Sequence, residues 1–461
     1  MDKNGNVTAK KAGQTTITAA SEDDPSITAT CKVTVKNKSL TFSAASTQGF
    51  KMVLPSNADA AAKLAGCFEY STDNGATWTT VPANMDYVTF GNGTDLLLRG
   101  KSQYGTAYDT ASKKKSSNIA FSDASVPVSC SGDIRTLIDW ENFSTVSTTD
   151  ARFAYLFCDP ETTGYGTGHA ALSSAPELPS TDLATRCYQN MFIDCTALET
   201  APVLPAIALA KYCYYGMFCG TSLKTAPALP AKTLAEYCYR NMFTDCTALE
   251  SAPVLPATAL ANYCYYEMFS GCTSLESAPA LPAETLAYAC YQNMFNGCTA
   301  LKTAPALPAK ALDKWCYSGM FSGCTSLETA PALPAKTLAN YCYLNMFSDC
   351  TALEAAPALP AATLSELCYQ GMFEGCTALK TAPTLPAETL SKLCYVRMFK
   401  NCSNLEEVTV KAKTTADSAF SSWLEGVAAS GKIHKRSTLS LTADSIDGIP
   451  SGWTAVDDVT D

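Results

Sequence analysis

Leu281-Pro282-Ala283-Glu284-Thr285-Leu286-Ala287-Tyr288-Ala289-Cys290-Tyr291-Gln292-Asn293-Met294-Phe295-Asn296-Gly297-Cys298-Thr299-Ala300-Leu301-Lys302-Thr303-Ala304-Pro305-Ala306 is one unit of a repeat. The pattern LPxxxLAxxCYxxMFxxCTxLxxAPx begins again at Leu178, Leu204, Leu229, Leu255, Leu307, Leu333, Leu359 and Leu385. The step is 26 residues except between Leu204 and Leu229, where it is 25. The short unit reads Met217-Phe218-Cys219-Gly220-Thr221, so one residue is missing from its turn and a local irregularity is expected there. A unit of this length cannot bury its own apolar face, and stacking on neighbours makes the continuous core. Residues 178–408 therefore read as a solenoid of nine repeats.

Within a unit, Leu183, Cys187 and Met191 fall at i, i+4 and i+8, and Ala184, Tyr188 and Phe192 follow one step on. That spacing predicts a short helix of about three turns with a broad apolar arc. Leu198-Glu199-Thr200-Ala201 reads as a very short strand ended by Pro202, because proline cannot donate into a ladder. Each unit is thus expected to be one strand plus one short helix. Parallel strands would line one face and helices the other.

The chain has 461 residues, 47% hydrophobic and 16% charged, with a net charge of −10. An acidic balance argues against nucleic acid as a partner. No apolar window reaches the roughly 20 residues that a membrane helix needs. His169 and His434 are the only histidines, which nearly excludes a multi-histidine metal site. Of 22 cysteines, Cys31, Cys67, Cys130 and Cys158 precede the repeats and the rest fall in pairs, one pair per unit. A buried thiol ladder, some disulfides, or zinc are the possible readings. The C-x7-C spacing without histidine fits zinc least. No cofactor, metal ligand set or catalytic residue is assigned, since no GxSxG, HExxH or GxxxxGK[ST] occurs.

The Met294-Phe295-Asn296-Gly297-Cys298-Thr299-Ala300-Leu301 segment resembles the BspA-like leucine-rich repeat family of bacterial surface proteins, in a Bacteroides-type variant. It departs from the usual AFxxCxxLxxIxIP unit: Met-Phe replaces Ala-Phe, an Ala-Pro pair sits in the strand, and the unit is longer. The resemblance implies an α/β leucine-rich-repeat solenoid. It also implies export to the cell surface, and adhesion or ligand binding rather than catalysis.

Residues 1–37 alternate in β fashion, as in Asn4-Gly5, Val7-Thr8-Ala9, Thr15-Thr16-Ile17-Thr18 and Ala29 to Val35. They resemble the C-terminal half of a group 2 bacterial immunoglobulin-like domain. About three strands are present where a sandwich needs about seven. The expectation is that the natural protein extends upstream and carries its export signal there. Residues 38–128 are β-rich. Ser71-Thr72-Asp73-Asn74-Gly75-Ala76-Thr77-Trp78 resembles the Asp-box, SxDxGxTW, read either as a hairpin element or as a mark of glycosidases. Residues 129–177 should cap the solenoid, with Ala154-Tyr155-Leu156-Phe157-Cys158 as a degenerate unit. Gly164-Tyr165-Gly166-Thr167-Gly168 reads as a flexible insertion rather than a phosphate cradle. Residues 409–461 form the other cap, with Phe420, Trp423, Leu424 and Val427 on a helix face.

Two outward columns are candidate binding surfaces. The first is Glu199, Lys224, Glu250, Glu276, Lys302, Glu328, Glu354 and Lys380 on the strand face. It reads either as a solubilising ladder or as a surface for a polar protein partner. The second precedes the first cysteine of each unit and includes Tyr212, Tyr237, Tyr263, Trp315 and Tyr341 among Arg186, Ala289, Leu367 and Leu393. Those rings either pack between units or stack on sugars and anchor partners. The leading expectation is a monomeric, non-enzymatic adhesion or recognition protein outside the cell that binds host protein, glycoprotein or glycan. The alternatives are a polysaccharide-binding surface protein and a structural stalk.

Overall fold

The structure, a computed structural model, describes residues 13–20, 23–35, 37–109, 113–159, 167–415, 418–445 and 447–460. The repeats stack as successive coils, but the expected helix is absent from them. Among the described residues the only α-helix is α1, Ala58–Leu64, which precedes the repeats in the chain. Where the helix was expected, the chain runs through consecutive tight turns. In the quoted unit, the N–H groups of Cys290, Met294 and Cys298 bond back three residues, to the carbonyls of Ala287, Tyr291 and Phe295. The N–H groups of Ala289, Tyr291, Asn293, Phe295 and Gly297 instead donate across to Lys314, Cys316, Ser318, Met320 and Ser322 of the next unit, at 2.8–3.1 Å. Alternate N–H groups thus close turns and tie coils together. A helix would have spent them all within its own unit.

This backbone needs a left-handed residue every fourth position. Ala289, Asn293 and Gly297 have φ of 50°, 53° and 71°, and the other units follow suit. The third position is Asp, Asn or Gly in every unit and the second is Asn or Gly in most, the residues that accept this conformation most readily. Buried positions recur as Cys290-Tyr291, Met294-Phe295 and Cys298, a period of four. A four-residue period advances about 90° per residue and an α-helix about 100°. Over nine residues the two patterns look alike, which is why the apolar spacing reads as a helix.

The left-handed columns also fit one unit to the next. A Cβ on Gly371 (φ +59°) would lie 2.1 Å from Asn345 Oδ1, and Gly216 and Gly319 bear the same relation to Asn190 and Asn293. An asparagine in one unit thus rests over a glycine in the next. Gly371→Ala is expected to lose about 1–2 kcal/mol from the left-handed conformation alone, with more from moving the amide. Adding Asn345→Gly should recover part of that loss, because it removes the clash. Urea denaturation of both variants checks this, and a neutral Gly371→Ala would remove the argument.

Core side chains form continuous columns. Tyr188, Tyr214, Tyr239, Tyr265, Tyr291, Tyr317, Tyr343, Tyr369 and Tyr395 stack at 5.7–6.1 Å. Phe192 to Phe399 stack at 5.6–5.8 Å. The columns run on into both caps, through Phe153 and Phe157 at one end and Phe420 at the other. Residues 418–426 are turns like those of the repeats, so the helix expected for Phe420 to Val427 is also replaced. In the short unit Thr221 takes the buried cysteine's place, its hydroxyl 2.8 Å from the Phe218 carbonyl, and one turn is dropped without breaking the stack.

The strands expected in the repeats shrink to single parallel bridges, such as Thr303↔Thr329 and Thr329↔Ala355. Longer strands lie outside them: β1 (Gly13–Ala20), β2 (Thr28–Val35), β3 (Leu40–Ala44), β4 (Gln48–Val53), β5 (Phe68–Ser71), β6 (Thr79–Thr80), β7 (Val88–Phe90), β8 (Leu96–Gly100), β9 (Asn118–Phe121), β10 (Val128–Ser131), β11 (Cys158–Asp159), β12 (Thr167–Gly168), β13 (Leu172–Ser174), β14 (Glu407–Thr409), β15 (Gly431–His434) and β16 (Trp453–Val456). β1 and β2 pair only with each other, as an antiparallel hairpin. The Asn4-Gly5 to Ala9 part of the immunoglobulin-like reading lies outside the described residues, as does Gly164-Tyr165-Gly166. β13, β10, β3, β8, β5 and β6 form one sheet and β7, β4 and β9 another. Phe42, Phe50, Phe121 and Phe157 pack together in the core beside them. β10 straddles the boundary drawn at residue 128 and pairs with both β3 and β13, so the β-rich segment and the first cap share a sheet. At the far end β14, β15 and β16 are parallel and extend the bridged face, with Thr381↔Glu407 as the junction.

Candidate functional site

The bridged face carries the charged column. Bridging holds each coil in register, and the buried leucine before each charged residue sends its neighbour outward. Glu199, Lys224, Glu250, Glu276, Lys302, Glu328, Glu354 and Lys380 are all exposed, while Leu198, Leu223, Leu249 and their equivalents are buried. Lys224 pairs with Glu199 at 3.0 Å and Lys302 with Glu276 at 3.7 Å. Exposed pairs of this kind contribute little to stability, roughly 0–1 kcal/mol. The column is a flat array of side chains held one repeat apart, with both signs present.

The aromatic column sits on the turn segment, at the first left-handed position of each unit. Sequence reasoning gave these residues an outward helical direction. Their φ values of 50–64° give them a different origin but leave the rings half-buried. Their faces are taken up by one another. Tyr212 stacks on Tyr237 at 4.5 Å, Tyr237 on Tyr263 at 4.7 Å, and Trp315 on Tyr341 at 4.2 Å, with planes within 11°. These faces are therefore shared between neighbouring units. Arg186 lies 4.6 Å over Tyr212. Arg240 sits amid Tyr215, Tyr237, Tyr263 and Tyr266, nearest Tyr266 at 4.3 Å. Sequence reasoning missed this cation among tyrosines, because Tyr215, Arg240 and Tyr266 stand three residues beyond the column and only the coil brings them beside it.

The Asp-box segment closes a hairpin between β5 and β6. Asp73 accepts from Ser71 Oγ at 2.7 Å and from the Thr77 N–H at 2.9 Å, and its carboxylate also accepts from the Thr77 hydroxyl. The Thr77 hydrogen bonds, with that from Ser71, lower its pKa to about 2. Trp78 donates its ring N–H to Gly75 O at 3.2 Å. The carboxylate is fully occupied in building the turn. Arg99 is clamped between Trp78 and Trp140, 3.7 and 3.9 Å from their ring centres, and pairs with Glu69.

Both cysteine columns point inward. Cys272, Cys298, Cys324, Cys350 and Cys376 each donate a thiol hydrogen bond to the phenylalanine carbonyl of the preceding unit at 3.1 Å. All the described cysteines are free thiols, and only Cys31, Cys67 and Cys219 are not buried. Among the described residues no group of three or more His, Cys, Asp or Glu side chains could hold a metal ion, and no helix is long and apolar enough to cross a membrane.

Residues 218–354 and 314–425 match the family model for the BspA type leucine rich repeat region, in six copies. No curated protein and no solved structure matches the chain. The repeat fold, with its inward leucines and its cysteine and phenylalanine columns, agrees with that match: over residues 218–425 the chain is similar to the BspA type leucine rich repeat region.

Proposed function

We propose that this protein is a non-enzymatic recognition protein of the cell surface, binding a host protein or glycoprotein through the charged column from Glu199 to Lys380. One observation carries the reading: eight successive units present an exposed charged side chain at the same point of a bridged face. A regular array of both signs suits recognition of an extended polar partner. Complementary charge speeds encounter and rejects wrong partners more than it adds raw affinity. The similarity of the repeats to the BspA type leucine rich repeat region, a surface-associated family, supports the location.

The test is binding of the full chain to immobilised extracellular-matrix proteins and mucin glycoproteins, at low and physiological salt. Changing Glu250, Glu276 and Glu328 together to Lys should weaken saturable binding at least tenfold and alter its salt dependence, without shifting the melting temperature. Binding that ignores these substitutions would remove the charged column as the site.

A further inference from the structure

Two columns of the turn segment meet as tyrosines and one cation in three consecutive units. Tyr212, Tyr237 and Tyr263 form the first. Three residues on, Tyr215, Arg240 and Tyr266 form the second, where the remaining units carry Gln, Ser, Leu or Val. Arg240 is bracketed along the stack by two rings, 5.7 Å from that of Tyr215 and 4.3 Å from that of Tyr266. Tyr237 and Tyr263 lie beside it at 5.7 and 5.8 Å. All six residues are half-buried, so each keeps part of its surface in solvent.

The guanidinium is held but not neutralised. Among the described residues it spends only Nε on an acceptor, Asn241 Oδ1 at 3.1 Å, and no carboxylate pairs with it. Its two terminal nitrogens, which carry the rest of its N–H donors, have no acceptor there. The acids beside the patch are otherwise engaged. Glu236 pairs with Lys211 of the unit before, and Glu267 accepts from Asn241 at 2.8 Å and from Asn293 at 3.2 Å. Rings against the guanidinium hold its plane, so less freedom is lost when its fork pairs.

We propose that this patch docks a protein partner by one carboxylate: an Asp or Glu side chain taken by the Arg240 fork, with apolar neighbours laid on the surrounding tyrosines. A planar fork of N–H donors recognises an oxyanion, and a carboxylate matches its geometry with two parallel hydrogen bonds. A sulfated polysaccharide shares that chemistry but needs a row of unpaired cations. Here Lys211 is already paired with Glu236, Glu267 stands beside the patch, and the chain carries a net charge of −10. One isolated cation among tyrosines suits a single acid on an otherwise apolar segment. Tyrosine and arginine are also among the residues that dominate interface energetics. The patch lies on the turn segment and the charged column on the bridged face, so either can fail without the other.

The experiment selects short random peptides displayed on phage against the full chain, after removing those that bind the Arg240→Gln chain. The survivors should carry an Asp or Glu flanked by apolar or aromatic residues. A synthetic survivor should bind the natural chain saturably, and Arg240→Lys should weaken it tenfold or more with little change in melting temperature, because an ammonium keeps the charge and loses the fork. Replacing the peptide's acid by its amide should weaken binding to the natural chain as much, and cost nothing further on Arg240→Gln. Changing Glu250, Glu276 and Glu328 to Lys should leave this binding in place. The proposal is overturned if no peptide survives, if the survivors lack an acid, if the two losses simply add, or if Arg240→Lys lowers the melting temperature and not the affinity. Binding of heparin that needs Arg240, with no peptide bound, would assign the patch to a sulfated polysaccharide. Self-association in sedimentation that needs Arg240 would assign it to a second copy of the chain. Either result overturns the proposal.

Discussion

Raising the pH from 8 to about 10.5 in reducing buffer is expected to unfold the repeats. Burial pushes the thiols of Cys187, Cys246, Cys264, Cys298 and Cys342 from an ordinary 9.0 up to about 12. Burial likewise raises Cys290, Cys316 and Cys350, and the core tyrosines Tyr265 and Tyr291 well above their usual 10.0. These groups stay protonated in the fold but ionise in the unfolded chain once the pH passes their ordinary values. The unfolded state then binds fewer protons, so stability falls as pH rises. What the neutral thiols contribute is complete below about pH 9 and lost as pH climbs towards 12. Each such thiol removes roughly 1.4 kcal/mol per pH unit in that window. A handful is enough against a typical total of about 5–15 kcal/mol. Circular dichroism across the pH range checks this; a fold that persists to pH 11 under reducing conditions would refute it. Thiol titration at pH 8 gives the companion result. Exposed Cys31 and half-buried Cys67 should react quickly, and the buried repeat thiols only after urea. If far fewer than 22 thiols react in urea without reductant, the remainder are in disulfides.

Phe295→Ala should lower stability by about 3–5 kcal/mol, the usual range for removing a buried aromatic side chain. Phe295 is fully buried and stacks on Phe269 at 5.6 Å and Phe321 at 5.7 Å, both nearly parallel. The substitution opens a gap in the middle of the column and removes two contacts between coils. In a stacked repeat, stability is close to a sum of unit and nearest-neighbour terms. The damage should therefore be local. Hydrogen exchange should quicken most for the N–H groups of Phe269 and Phe295, which bond across to Met294 and Met320. Phe295→Leu should lose less, since it keeps more of the buried volume. Uniform loss of protection along all nine units would contradict nearest-neighbour stacking.

Much of this molecule is legible in its sequence. The fixed step between leucines specifies the repeat, because a unit too short to own a core must stack. The same recurrence identifies the core columns, since Cys290, Tyr291, Met294, Phe295, Cys298 and Leu301 recur in register and are all buried. The outward charged column follows from its place beside a buried leucine. The backbone that carries these residues was read wrongly. Apolar spacing separates 3.6 from 4.0 residues per turn only over longer stretches than nine residues. The available signal was the recurrent Asn, Asp or Gly before Met and before the second Cys, which marks left-handed turns.

Tertiary stacking decided the rest. Alternate N–H groups could turn outward only because the next coil supplies carbonyls in register, so a single unit's sequence gives no sign of them. Whether Tyr237 is a free surface ring or a stacked one depends on what the unit before and the unit after place beside it. The break in the ring stack at Ala289 exists for the same reason: alanine is unremarked in one unit and interrupts the stack only because Tyr263 and Trp315 flank it. Composition and period determined that this chain stacks and what it buries, because burial is a property of recurring residue types. Which surfaces remain open was settled between coils, because a side chain's exposed face is defined by its neighbours in space.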